Sequence, residues 1–285
     1  MKIIALLPFK NESKFLHSCI SSLKPVCDGI IAYDDLSEDD GKNIIESYED
    51  SSFFVKIING EKTSDWGVDK IRNMLFQKGR EACGTHFVCL DADEAFTSNF
   101  SKHGKKIIAR LEEGQRLRMQ WLALWKELYH YRDDQSPWSN NFKDFIYCDD
   151  GKSLIEERYL CESRTPGTEK NELILNEKYG AVMHFQFADW QRFQLKQAWY
   201  RCKELLKGKP VHAINEKYSI TLDTFGSKII LNKMPDSWFE NFKMPLIESQ
   251  AITEENCWHL REINKMFAEH GKEKFSKLDI WHIAV

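Results

Sequence analysis

Several features that would assign the chain to a class are missing from it. No run of eighteen apolar residues occurs, so no membrane-spanning helix is expected. None of the eight cysteines stands in a Cys-x-x-Cys pair, which argues against a zinc ribbon. A basic excess is absent too. The net charge is -4, so nothing pulls the chain towards nucleic acid, and no nucleic-acid partner is expected. Internal repeats, low-complexity tracts and an obvious interdomain linker are also lacking. Met1 leads straight into a strand-like stretch with no signal-peptide layout. Several cysteines sit inside apolar runs and read as small buried hydrophobes. The expected setting is therefore reducing and cytoplasmic.

What is present points to an ordinary globular enzyme-sized chain. Its 285 residues suit one large domain, or a domain with an extension. Aromatics are plentiful, and most read as core, including Trp121 and Trp125. Trp66 and Trp138 lie in polar, loop-like stretches and are candidates for a donor or acceptor contact. Short apolar runs at Lys2 to Leu7, Gly29 to Tyr33, Phe53 to Ile58 and His86 to Leu90 read as strands. Between them lie helical stripes: Phe15, Leu16, Cys19 and Ile20, then Ile44, Ile45 and Tyr48, then Val68, Ile71 and Leu75. This alternation predicts an α/β fold with a mostly parallel sheet and helices on its faces.

The pattern changes after residue 100. Lys105 to Glu113 reads as a short helix and Arg116 to Leu128 as a strand. Tyr179 to Phe187 reads as a strand ending near His184. Asp189 is placed to cap a helix that runs to Leu206, with Gly208 just past its end. On that helix Arg192, Lys196, Trp199 and Lys203 form one stripe.

The most informative segment is Phe87-Val88-Cys89-Leu90-Asp91-Ala92-Asp93-Glu94, an apolar strand that runs into two carboxylates. Side chains two apart on extended backbone point the same way, so Asp91 and Asp93 can face one ligand. Hard anionic oxygens at a strand's carboxyl end suit Mg²⁺ or Mn²⁺ carrying phosphates. Open α/β sheets also bind ligands at that edge.

Taken in order, several motifs resemble the family 2 glycosyltransferases with the GT-A fold. These are Leu7-Pro8-Phe9-Lys10-Asn11-Glu12, Asp34-Asp35-x-Ser37-x-Asp39, Lys70-Ile71-Arg72-Asn73 and Leu90-Asp91-Ala92-Asp93-Glu94. His184, in Ala181-Val182-Met183-His184-Phe185, stands where many such enzymes place a late metal ligand. The resemblance covers roughly residues 1 to 205.

It implies a metal-dependent, inverting transfer of sugar from a nucleoside-diphosphate sugar to an acceptor hydroxyl, in glycan or polysaccharide synthesis. The acceptor would be a carbohydrate or a lipid-linked or protein-linked glycan, and contact with a membrane surface is open. Asp93 and His184 would be the protein ligands of Mn²⁺ or Mg²⁺. Asp91 would face the ribose or bind the metal through water. Asp35 would accept from the nucleobase, with Pro8, Lys10 and Glu12 lining the base and ribose. Arg72, Arg192 and Lys196 would approach the phosphates. Phe9-Lys10 departs from the small or aromatic polar residues common in that loop. An inverting transfer also needs a general base, and a carboxylate suits an oxocarbenium-like transition state. The resemblance places it between the Asp-x-Asp motif and His184, among Asp144, Asp149, Asp150, Glu156, Glu157 and Glu162. Glu162 is favoured and Asp149 comes second.

The same reading divides the chain into a nucleotide-sugar half (1–100), an acceptor and catalytic half (101–208) and an extension of the same domain (209–285). Two other classes compete. Phosphatases of the haloacid dehalogenase type use a strand followed by Asp-x-Asp, with the first Asp as nucleophile. They usually open with that strand, whereas here it is the fourth. A non-catalytic module that only binds sugar or a partner is the other.

Overall fold

A computed structural model describes residues 1–61, 67–134, 136, 138–156, 163–167, 171–219, 228–247 and 251–283. The elements begin with strand β1 (Ile3–Phe9), helix α1 (Ser13–Leu23), β2 (Gly29–Asp34), α2 (Gly41–Glu46), β3 (Phe54–Asn59) and α3 (Val68–Glu81). There follow β4 (His86–Val88), β5 (Glu94–Phe96), α4 (Ser98–Ile108), β6 (Arg116–Ala123), β7 (His130–Arg132) and β8 (Phe142–Cys148). Last come β9 (Glu172–Ile174), β10 (Val182–His184), α5 (Trp190–Leu206), α6 (Val211–Lys217), β11 (Leu231–Lys233) and α7 (Trp258–His270).

The chain divides into two compact units. One holds residues 1–123, 140–185 and 233–246, and the other holds 124–139, 186–232 and 247–285. These units do not coincide with divisions at residues 100 and 208. The segment 124–139 departs for the second unit straight after β6, and 233–246 belongs again to the first.

The first unit is built on one sheet, in the order β3-β2-β1-β4-β8-β6-β10-β5, with β9 also paired to β6. Strands β3, β2, β1 and β4 run parallel. Within this block β1 is an unbroken apolar run, buried along almost its whole length, as a strand covered on both faces requires. Leu75 and Phe76 of α3 are buried against it, each contributing about 1.5–3 kcal/mol. Gly79 lets α3 close on β4, since a Cβ there would strike the Phe87 ring. Beyond β4 the direction reverses. β8 lies antiparallel between β4 and β6, with Cys148 opposite His86. β10 then runs parallel to β6 and antiparallel to β5, placing His184 opposite Glu94.

Helix α4 starts at Ser98 rather than Lys105. Its buried stripe, Phe100, Gly104 and Ile108, has the spacing of four that a helix requires and begins upstream of the lysines.

In the second unit α5 has the expected bounds. The Asp189 side chain accepts from the Arg192 backbone N–H, and Gly208 takes φ 85° just past the end. Leu195 and Cys202 of α5 share a core with Ile263 and Phe267 of α7 and with Phe275 and Ile280. No described helix is long and apolar enough to cross a membrane. The described cysteines are free thiols, and burial pushes the Cys89 thiol up to about 12.

Candidate active site

Strand β1 ends at Phe9, in register with Asp34, the last residue of β2. The two loops that follow are tied to each other. Asn11 takes φ 53°, its N–H donates to Ser37 Oγ at 2.9 Å, and its Oδ1 accepts from the Glu38 N–H at 2.7 Å. Asp34 accepts from the Ser37 N–H, and Asp39 accepts from the N–H groups of Ser13 and Gly41. These acids therefore shape the loops. Asp35 differs, because its carboxylate meets Lys10 Nζ at 3.2 Å. Pro8 lies in β1 beside Tyr33, and Glu12 sits at the head of α1, where its carbonyl accepts from the Phe15 N–H. Four expected nucleotide contacts thus sit on one pair of loops at the carboxyl edge of the sheet.

Strand β4 reaches the same edge. Asp91 accepts from Arg72 Nη2 at 2.7 Å through Oδ1 and meets Arg164 Nη2 at 2.9 Å through Oδ2. Burial opposes the charge on Asp91, but the Arg164 and Arg72 guanidiniums outweigh it and hold its pKa below the ordinary carboxylate range. Both Asp91 oxygens are thus paired with guanidiniums.

Glu94 is fully buried and carries most of the connections. It accepts from Trp121 Nε1 at 2.6 Å, from the Asp91 N–H at 2.9 Å and from both terminal nitrogens of Arg164. Burial opposes the charge on Arg164, while Asp91 and Glu94 overcome that and raise its pKa above the ordinary arginine value. Trp121 in turn stacks on His184, with ring centroids 4.4 Å apart. The chain of contacts ends at Asp93, whose Oδ2 stands 3.3 Å from His184 Nε2. The Asp93 carbonyl also accepts from the Phe185 N–H at 2.9 Å, tying the two segments together.

Asp93 and His184 thus present one hard oxygen and one imidazole nitrogen side by side, a donor pair that fits a divalent cation. Among the described residues no group of three or more His, Cys, Asp and Glu side chains forms a cation cage. A cation here would need further ligands from water and phosphate.

Other expected residues lie elsewhere. Asp149 follows β8, and its N–H donates to the Thr85 carbonyl, at the amino end of β4. Asp91 is six positions further along the chain, past the far end of β4, a separation of at most about 20 Å. Its carboxylate accepts from Arg80 Nε at 3.0 Å and Nη2 at 2.7 Å. The antiparallel direction of β8 carries Asp149 to the amino end of β4, away from Asp91. Glu162, Glu157 and Trp66 lie outside the described residues. Asp144 pairs with Arg116 at 2.9 Å, and Asp150 accepts from the Ser153 N–H at 2.8 Å. Arg192, in the second unit, contacts Asp189 and donates to the Asn256 carbonyl, so its guanidinium is engaged within that unit. Lys196 is half-buried on the same helix. Trp138 packs on Phe187, ring centroids 4.8 Å apart, in an aromatic cluster of the second unit.

Sequence reasoning gave no role to Glu94, Arg164 or Trp121. One signal was available for each acid–base partner. Glu94 directly follows the Asp-x-Asp motif, and Arg164 is a cation inside an otherwise turn-like stretch, Arg164-Thr165-Pro166-Gly167.

Residues 5–116 match the family model for glycosyl transferase family 2. The match covers 112 of the 285 residues, from within β1 to the first residue of β6. No curated protein matches the chain in sequence. Among solved structures it is similar to S. aureus TarS 1–349, at 14% identity and TM-score 0.45, over 78% of this chain and 71% of that one. The complex of TarS 1–349 with UDP gives 18% and 0.39, over 52% and 47%. A mannosyltransferase from Pyrobaculum calidifontis in complex with GDP-Man and Mn²⁺ gives 14% and 0.32, over 43% and 35%. The chain thus spans less than half the length of the last two. Likeness at this level carries no conclusion about activity.

Proposed function

We propose that this chain is a metal-dependent, inverting glycosyltransferase that moves a sugar from a nucleoside diphosphate to an acceptor hydroxyl in glycan or polysaccharide synthesis. The observation that carries the reading is the Asp93–His184 pair, placed at the carboxyl edge of a sheet whose first strands match glycosyl transferase family 2. Residues 1–100 bind the nucleotide sugar, 101–208 carry the acceptor side and the base, and 209–285 extend it. The setting is cytoplasmic, and the acceptor is a carbohydrate or a lipid-linked or protein-linked glycan.

Asp35 accepts from the nucleobase, with Lys10 holding its carboxylate in place. Pro8 and Glu12 flank the base and ribose. Asp93 and His184 hold the cation, and the imidazole favours Mn²⁺ over the all-oxygen preference of Mg²⁺. When bound, the cation neutralises charge on the departing diphosphate. Arg72, held in place by Asp91, faces the same charge. Glu162 takes the proton of the acceptor hydroxyl as its oxygen attacks the anomeric carbon from the face opposite the leaving group. Arg192 and Lys196 are kept as secondary phosphate contacts, although Arg192 already serves Asp189 and Asn256. A phosphatase of the haloacid dehalogenase type needs its first Asp free as nucleophile. Here both Asp91 oxygens are held by guanidiniums, which weighs against that alternative.

The test is release of nucleoside diphosphate from a panel of UDP-, GDP- and dTDP-sugars, with Mn²⁺, with Mg²⁺ and with chelator. Slow hydrolysis of one donor, lost with chelator and in Asp93→Ala, is the expected result. Silence across the panel, with no metal-dependent nucleotide binding, would leave a non-catalytic binding module.

A further inference from the structure

We propose that Arg164 sets the charge balance of this site, so that a divalent cation alone is held weakly and is held well only together with a diphosphate. The inference rests on the glycosyltransferase reading and gives a role to a residue that reading does not use.

Around the Asp91–Glu94 turn, the three carboxylates of Asp91, Asp93 and Glu94 face the two guanidiniums of Arg72 and Arg164. Among the described residues these five groups sum to one net negative charge. Arg164 is the larger counterweight, because it touches two of the three acids while Arg72 touches one. Its side chain is 7% exposed, so little water screens it. The guanidinium also lies 5.0 Å over the Phe145 ring, a cation–π contact that helps to hold it.

Charge arithmetic then gives effects of opposite sign. With Arg164 present, a dication meets a site of charge minus one and converts it to plus one, a receptor for the diphosphate anion. Without Arg164 the site starts at minus two. The cation gains attraction, and the anion that follows meets a neutral site. A residue that merely braced the turn would weaken both ligands when removed, because it would disorder Asp93 and the phosphate contacts together. Opposite movement of the two affinities therefore separates charge balance from bracing.

The experiment is calorimetric titration of the full chain, first with MnCl₂ alone, then with UDP and with GDP at saturating Mn²⁺. Arg164→Gln is expected to tighten Mn²⁺ alone severalfold and to weaken the bound nucleoside diphosphate by roughly tenfold. Arg164→Lys, which keeps the charge and loses the fork, stays within a few-fold of wild type for both. The double variant Arg164→Gln, Glu94→Gln restores the net charge and returns both affinities towards wild type. It also removes the uncompensated buried acid, so it carries the test if the single variant does not fold. Joint weakening of both ligands in Arg164→Gln, or a double variant that weakens both, overturns the proposal in favour of bracing. No change in either affinity overturns it outright. If wild type itself binds neither UDP nor GDP, with or without Mn²⁺, the glycosyltransferase reading fails first.

Discussion

The imidazole of His184 lies against the indole of Trp121, ring centroids 4.4 Å apart and planes 29° from parallel, while the same indole donates to Glu94 at 2.6 Å. A buried carboxylate thus fixes an aromatic plate, and the plate fixes the candidate metal ligand. Trp121→Phe keeps a ring in that place and removes only the donor. The cost is one unmade hydrogen bond to a buried charge, about 1–3 kcal/mol. Urea unfolding should show that loss, and Mn²⁺-dependent nucleotide binding should weaken as His184 loosens. Unchanged stability and unchanged binding would show that Glu94 does not use this donor.

Asp149 and Glu162 are separated by their variants. Asp149→Asn breaks a bidentate pair with Arg80 that is largely buried, and should lower unfolding stability by about 1–3 kcal/mol. Donor hydrolysis and nucleotide binding should stay at wild-type levels, because the residue stands at the other edge of the sheet. Glu162→Gln should do the reverse: binding of the donor persists and transfer is lost. Normal transfer by Glu162→Gln would move the base elsewhere among the acids between Asp93 and His184.

Much of the first unit was legible because its signals are local. Each of β1 to β4 is a short apolar run, and those of β1, β2 and β4 lead into the polar residues that form the site. The parallel order follows from that alternation, whereas the pairing of Lys10 with Asp35 joins two loops and had no signal in the sequence. The contacts that organise the site interior were not legible, because they join distant residues. Arg164 and Glu94 are seventy positions apart, and neither has a periodicity that marks it. The place of Asp149 in the sheet was hidden for one reason: nothing in Phe142 to Cys148 announces the direction of that strand, against β4. The division into two units was hidden for a similar reason. Trp125, Phe187, Trp190 and Phe193 gather across almost seventy residues of sequence, a clustering that composition does not show.

Acid should act on the second unit through Asp134. Burial raises the pKa of this carboxyl, but hydrogen bonds from Ser136, Arg132 and Ser139 outweigh that and hold it well below the usual range. The folded pKa therefore lies under the unfolded value of about 4. The stabilisation is fully present above that value and is lost as the pH falls through the folded pKa. Asp134→Asn should be less stable than wild type at pH 7, and the gap should narrow at pH 3. A gap that stayed constant between those pH values would show that the hydrogen bonds do not favour the charged form.

Gly79 is the last point of leverage, and it acts from a distance. A glycine inside a helix costs about 1 kcal/mol relative to alanine, so Gly79→Ala would stabilise α3 considered alone. In the fold the new Cβ meets the Phe87 ring of β4, and the ring is itself held edge-on to Phe76 at 5.3 Å. Overpacking of this kind costs about 1–3 kcal/mol and is relieved by moving the helix off the strand. Helix α3 carries Arg72 and β4 leads to Asp91, so the shift would lengthen their 2.7 Å contact. Gly79→Ala should therefore lose stability in urea unfolding and also bind nucleoside diphosphate more weakly, although it lies two helical turns from Arg72. A variant more stable than wild type would mean that helix propensity prevails and that the two elements have room to spare.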